Sequence, residues 1–152
     1  ERLLGPADLG MAYRETNLKH GRPGRPDVVL QATFRLEPSD SDTIAERLAD
    51  IRRLRQEHQP IGQKSAGSVF RNPEGHSAGR LIDELGLKER RICGALISPK
   101  HANFIVNTGG ATADDVRALG DLVRETVRRE RGIELAYEVE FVGDWDQTEE
   151  GT

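Results

Sequence analysis

The sequence predicts an α+β domain of two layers, about three helices packed on a largely antiparallel sheet. Three observations predict it. Apolar residues recur at helical spacing in residues 39–58, 77–86 and 112–132. Short alternating or apolar runs at 28–36, 92–97, 103–107 and 133–141 read as strands. The link between the two middle strands is only Ser98 to Ala102, which suits antiparallel neighbours rather than a crossover.

Residues 1–27 read as irregular, with a polar cluster, Tyr13-Arg14-Glu15-Thr16, inside Asp8 to Lys19. His20 to Pro26 (HGRPGRP) is a connector whose arginines are expected to be solvated. Val28, Leu30, Ala32, Phe34 and Leu36 alternate with more polar neighbours, so Val28 to Leu36 is expected to be a strand facing a core.

Ser39 to His58 is the first long helix. Asp40 or Ser41 can cap it, and Asp42 suits its positive first turn. Ile44, Leu48, Ile51 and Leu54 form one apolar stripe, while Arg47, Arg52, Arg53 and Arg55 read as a solvated face among acidic neighbours. Pro60 ends it. Ser65 to Pro73 (SAGSVFRNP) then reads as a loop of small residues closed by proline. It gathers a hydroxyl, a guanidinium and an amide in Ser68, Arg71 and Asn72, a set suited to a polar anionic ligand; most Gly-Ser loops are nevertheless only turns.

Ser77 caps a short helix with Ala78, Leu81, Ile82 and Leu85 on its buried side and Gly86 at its stop. Strands follow at Ile92 to Ile97 and Asn103 to Asn107. After the Thr108-Gly109-Gly110 turn, Thr112 caps a third helix whose stripe is Val116, Leu119, Val123 and Val127. Arg128, Arg129 and Arg131 lie at its negative end, and Gly132 terminates it. From Ile133 to Phe141 the odd positions are large and apolar. Glu134, Glu138 and Glu140 therefore share the face away from the core, by pattern alone an ordinary solvated sheet face.

The composition narrows the function. A chain of 152 residues holds one domain, or a domain and part of another. A net charge of −4 speaks against non-specific nucleic-acid binding. Cys93 is the single cysteine, so no internal disulfide forms and a reducing, cytoplasmic setting is expected. No run is long and apolar enough to span a membrane. The chain opens at Glu1 rather than Met and is expected to be a piece of something longer. There is no GxGxxG, Walker loop or CxxC, and His20, His58, His76 and His101 lack metal-ligand spacing, so no metal is expected. Ser68 sits in no GxSxG elbow. Gly109-Gly110 before a helix is either an anion cradle or a plain turn with a cap.

Four ordered motifs, SAGSVFRNP, SAGRLIDELGLK, KHANFIVNTGGAT and GIELAYEVEFVG, resemble the UDP-N-acetylenolpyruvoylglucosamine reductase family, also called UDP-N-acetylmuramate dehydrogenase, in its second, shorter type. The resemblance runs from about Gly10 through Gly143. It implies the C-terminal portion of a flavoenzyme. Residues 1–58 correspond to the end of the flavin-binding domain with a connecting helix, and residues 59–143 to the substrate-binding domain; residues 144–152 form an acidic tail expected to be disordered.

The implied reaction is reduction of UDP-N-acetylglucosamine enolpyruvate to UDP-N-acetylmuramate, with FAD reduced by NADPH, in peptidoglycan precursor synthesis. Most of the FAD site lies upstream of this chain, so the chain alone is expected to be inactive, and the protein a monomer. The resemblance implies three catalytic positions: Ser68 as proton donor, Arg14 facing the substrate carboxylate, and Glu138 as second acid, whose carboxyl can stay protonated beside an anionic substrate. It implies substrate contacts at Tyr13, Arg71, Asn72 and, more weakly, His101. Glu15-Thr16 departs from the family's usual pair, and Tyr137 stands where a proline usually precedes the catalytic glutamate, leaving that backbone freer. The alternative is a non-catalytic sugar-nucleotide-binding module.

Overall fold

The structure is a computed structural model that describes residues 2–12, 15–20, 28–143 and 145, without the side chains of residues 19 and 20. Tyr13 and Arg14, most of the HGRPGRP connector, and the acidic tail apart from Trp145 lie outside the described residues. The chain divides into two compact units, Glu1–Ser39 and Asp40–Thr152.

The first unit holds a 3-10 turn, η1 (Pro6–Leu9), and a single helical turn, α1 (Asn17–His20). Its bonds are local. The Asp8 carboxylate accepts from the Gly5 amide at 2.8 Å, and the Thr16 hydroxyl donates to the Leu9 carbonyl at 2.9 Å. Gly10 turns the chain at φ 53°, where a Cβ would strike the Asn17 side chain. Val28 to Leu36 corrects the sequence reading: it forms no strand, and Val28, Leu30, Phe34 and Leu36 are largely exposed. A strand exists only when a neighbour takes its backbone groups, and among the described residues none does.

The second unit is an α+β layer structure, as the sequence predicts: helices on a four-stranded antiparallel sheet. The strands are β1 (Lys64–Ser68), β2 (Arg91–Ile92), β3 (Ala95–Ile97) and β4 (Phe104–Asn107), in the order β1-β4-β3-β2. The helices are α2 (Ser41–His58), α3 (Ala78–Glu84) and α4 (Ala113–Arg131). Each starts on the side chain its sequence offers. Asp40 accepts from the Thr43 amide at 2.8 Å, Ser77 from Arg80 at 3.4 Å and Thr112 from Asp115 at 3.1 Å. Asp115 returns a bond to the Thr112 amide at 2.9 Å and completes a capping box. Past α3, Gly86 at φ 67° turns the chain so that the Gly86 and Leu87 amides reach the Asp83 and Ile82 carbonyls, a Schellman closure.

Leu119, Val123 and Val127 of α4 meet Leu81 and Ile82 of α3 and Ala95 and Ile97 of β3 in one buried cluster. Each large side chain there contributes about 1.5–3 kcal/mol by leaving water. The α2 stripe is different: Ile44, Leu48, Ile51 and Leu54 are each about half exposed, and α2 buries no residue. The Lys100 ammonium donates to the Gln56 carbonyl near its end, at 2.6 Å.

Two strand readings are refined. Ile92 to Ile97 is a hairpin, with Arg91 opposite Leu96 and Ile92 opposite Ala95. Cys93 turns it at φ 46°, and Gly94 leaves room for Gly109 and Ala111, which a Cβ would meet at 2.4 Å. Ile133 to Phe141 forms one bridge, Phe70 to Tyr137, rather than a ladder. Its alternation still holds: Leu135 is buried, Ile133, Tyr137 and Val139 pack against the core, and Glu134, Glu138 and Glu140 are exposed.

The Ser65–Pro73 stretch is the main correction. Its first part is β1, an edge strand on β4, because β4 offers a free row of backbone groups. Ser65 pairs with Val106 and Ser68 with Phe104, so β1 spends one residue more than β4 over the same span. Gly67 at φ 91° absorbs the bulge. Beyond it Asn103 takes over. Its carbonyl accepts from the Val69 amide at 2.9 Å, its side-chain oxygen from the Phe70 amide at 2.9 Å, and its side-chain nitrogen donates to the Phe70 carbonyl at 2.8 Å. Asn103 is 4% exposed and Phe70 2%, so water cannot replace these bonds. Asn103→Ala is expected to lower the unfolding free energy by about 2–6 kcal/mol, from two orphaned backbone groups at about 1–3 each. A shifted urea midpoint at constant slope measures it, and an unshifted midpoint refutes the clamp.

Candidate functional site

Five of the seven residues proposed from the sequence lie along one edge of the second unit. Ser68 ends β1, half-buried, opposite Phe104. Its hydroxyl makes no hydrogen bond with any described residue, although the next residue, Val69, is bonded through both its amide and its carbonyl. The 133–141 segment runs beside it. The Glu138 amide donates to the Val69 carbonyl at 2.8 Å, and the Arg71 amide donates to the Ala136 carbonyl at 2.9 Å. Glu138 therefore stands beside the residue that follows Ser68, with its side chain exposed.

Arg71 is exposed and has no ion-pair partner among the described residues, so its charge is available to an anion. Asn72 carries a structural duty: its side-chain oxygen accepts from the Ala78 amide, the first of α3, at 3.0 Å. That bond engages the Asn72 oxygen, while its NH2 makes no bond with any described residue.

His101 lies in the link between β3 and β4, where its carbonyl accepts from the amide of Phe104, the residue opposite Ser68, at 3.0 Å. Its ring meets Phe104 edge-on at 4.9 Å, and Gly79 of α3 passes so close that a Cβ would lie 2.9 Å from the ring. Its Nδ1 accepts from the Asn103 amide at 3.2 Å, which requires the neutral ring. Burial first, and the Lys88 ammonium second, hold its pKa below the ordinary 6.5.

Tyr13 and Arg14 lie outside the described residues, so nothing in the structure places them against this edge. The Gly109-Gly110 turn resolves as a turn with a cap. Asn107 Oδ1 already accepts from the Gly109 amide at 2.9 Å and the Ala111 amide at 3.2 Å, so these donors are spent. No flavin or phosphate seat is assigned to them.

Two features escaped the sequence. Asn103 reads as the first residue of a strand, and its only signal is an amide abutting the apolar run Phe104-Ile105-Val106. Tyr137 reads as one more inward apolar residue. Its hydroxyl instead donates to Asp121 at 2.9 Å, its ring lies 5.0 Å from Phe70, and the Arg124 guanidinium sits 5.1 Å over it. Burial and the Asp121 bond push the phenol well above its ordinary pKa, so it stays a donor.

The fold and edge define an α+β domain that presents a hydroxyl unbonded among the described residues beside a carboxyl-bearing segment. Residues 59–142 match the UDP-N-acetylenolpyruvoylglucosamine reductase, C-terminal domain, family. The chain belongs to that family. It is 42% identical over 142 residues to a UDP-N-acetylenolpyruvoylglucosamine reductase of Gluconobacter oxydans, covering 93% of this chain and 45% of the relative. One from Geobacter metallireducens is 44% identical over 140 residues, covering 92% and 45%. The crystal structure of a UDP-N-acetylenolpyruvylglucosamine reductase from Thermus caldophilus superposes with a TM-score of 0.69 at 43% identity, covering 88% of this chain and 46% of that one. The chain thus spans about half the length of the curated relatives it matches.

The His101 environment sets a sign. Because the folded pKa lies below 6.5, the unfolded chain binds more protons between the two values. The neutral ring's contribution is complete above about pH 6.5 and is lost as pH falls through that window. His101→Gln is expected to flatten this acid slope, read as the difference in urea midpoint between about pH 7.5 and about pH 5. An unchanged slope would remove His101 as its cause.

Proposed function

We propose that this chain is the substrate-binding part of a UDP-N-acetylenolpyruvoylglucosamine reductase, which reduces UDP-N-acetylglucosamine enolpyruvate to UDP-N-acetylmuramate for peptidoglycan synthesis. The reading combines family membership with one observation: the bond from the Glu138 amide to the Val69 carbonyl at 2.8 Å brings the Ser68 and Glu138 stretches side by side. In this reading residues 1–58 are the end of a flavin-binding region, and residues 59–143 are the substrate domain. In this reading FAD, reduced by NADPH and bound chiefly by the flavin-binding region, would supply the hydride.

The chain's own residues then have three tasks. The substrate double bond gains a hydride at C3 and a proton at C2. Ser68 gives the C2 proton. A serine is a weak acid, but the carbon that receives the proton is strongly basic, and the hydroxyl here is not tied to a protein acceptor. Arg14 answers the charge that rises on the substrate carboxylate, through its fixed planar cation. Glu138 acts as hydrogen-bond or proton donor to the same centre. Arg71, with no ion-pair partner among the described residues, faces the diphosphate, and Asn72, with its oxygen bonded to the start of α3, offers NH2 donors to the sugar nucleotide.

The half-reactions separate these roles. In a full-length reductase carrying this chain, Ser68→Ala is expected to leave NADPH reduction of the flavin within about twofold and to slow its reoxidation by the enolpyruvyl substrate by about 100-fold or more. Stopped-flow flavin absorbance reads both steps. Unchanged reoxidation would remove Ser68 as the acid.

A further inference from the structure

The backbone at Glu138 is held in an uncommon way. A ladder strand is fixed by many paired peptides, but the 133–141 segment has one bridge. A proline at position 137, which the resemblance leads one to expect, would fix its own φ by its ring; Tyr137 has no such covalent restraint. Besides the backbone bonds at Val69 and Arg71, a set of side chains on α4 grips the segment.

Arg124 Nε donates to the Leu135 carbonyl at 3.0 Å while the same guanidinium lies over the Tyr137 ring. Asp121 accepts the Tyr137 hydroxyl. Gly120 forms the seat: a Cβ there would come within 2.5 Å of the Tyr137 hydroxyl oxygen and 2.9 Å of the ring. A glycine inside a helix lowers helix propensity, and here its absent side chain makes the room the tyrosine occupies. Phe70 closes the opposite side at 5.0 Å, and Phe70 is itself the residue clamped by Asn103. Phe141 packs edge-on at 5.1 Å, so the ring is contacted both before and after Glu138.

We infer that Tyr137, latched into the Gly120-Asp121-Arg124 seat of α4, is a positioning residue that fixes the Glu138 backbone against Val69 and thereby aims the Glu138 carboxyl. The latch rests on the function proposed above and deepens it. It supplies by side-chain packing the restraint that a proline supplies covalently. Tyr137 touches no reacting atom in this account; it acts through Glu138.

The test uses a full-length reductase carrying this chain, with Tyr137→Ala, Tyr137→Phe, Gly120→Ala and Glu138→Gln. Gly120→Ala improves helix propensity while filling the seat, so a loss of function there cannot come from a weaker helix. Gly120→Ala and Tyr137→Ala are expected to slow flavin reoxidation by the enolpyruvyl sugar nucleotide about 10–100-fold and to leave NADPH reduction within about twofold. Tyr137→Phe keeps the ring and is expected to retain most of the rate. A second readout needs no flavin: amide hydrogen exchange at Glu138, protected by the Val69 carbonyl, is expected to accelerate in Gly120→Ala and Tyr137→Ala. If Glu138→Gln slows reoxidation but neither seat variant does, the latch is refuted and the function stands. If Glu138→Gln, which keeps an N–H donor, changes nothing, the Glu138 carboxyl is not needed and a latch that aims it is refuted. Should Tyr137→Ala fail to fold, Gly120→Ala decides alone.

Discussion

The side chain of Asn103 does the work of a missing strand. β1 ends at Ser68, yet the chain must continue straight for three more residues to bring Phe70 into the core and Arg71 to Ala136. Asn103 offers an amide with the same donor and acceptor as a peptide, and it takes both groups of Phe70. Everything beyond depends on this. Phe70 is pinned on one side by Asn103 and pairs on the other with Tyr137, so the last segment finds its place through a side chain two elements away. The bulge at Gly67 belongs to the same arrangement. It uses up one residue so that Val69 and Phe70 arrive in register with Asn103.

Much of the second unit was legible in the sequence. The caps at Ser77 and Thr112, the α4 stripe and the alternation after Gly132 depend on local chemistry and periodicity, which a sequence displays directly. The readings that changed depend on partners. SAGSVFRNP looks like a loop because its residues are small, yet an edge strand asks little of its side chains when its neighbour supplies the hydrogen bonds. Val28 to Leu36 has the strand pattern and no partner among the described residues, and pattern without a partner makes no strand. The hairpin at Cys93-Gly94 was hidden inside one apolar run because cysteine gives no turn signal.

The candidate site was legible only through the resemblance. Pattern placed Glu138 on an outward face and Ser68 in a small-residue stretch, but no periodicity relates residues seventy positions apart. The fold supplies the relation through backbone bonds at Val69 and Arg71. The side chains along this edge divide into those consumed by the fold and those left over. Asn103 and the Asn72 oxygen are consumed; the Ser68 hydroxyl and the Arg71 guanidinium are not. That division is chemical information which composition cannot carry.

The uncovered stretch from Val28 to Leu36 has a practical bearing on solution work. Its alternating apolar side chains are largely exposed, and its backbone groups have no ladder among the described residues, features that favour pairing with a sheet edge. Two copies of this chain at high concentration therefore have a route to adhere that owes nothing to the folded unit beyond Asp40. A molecular weight measured for this chain is therefore best compared with one measured after that stretch is removed or masked, before it is taken as a count of subunits.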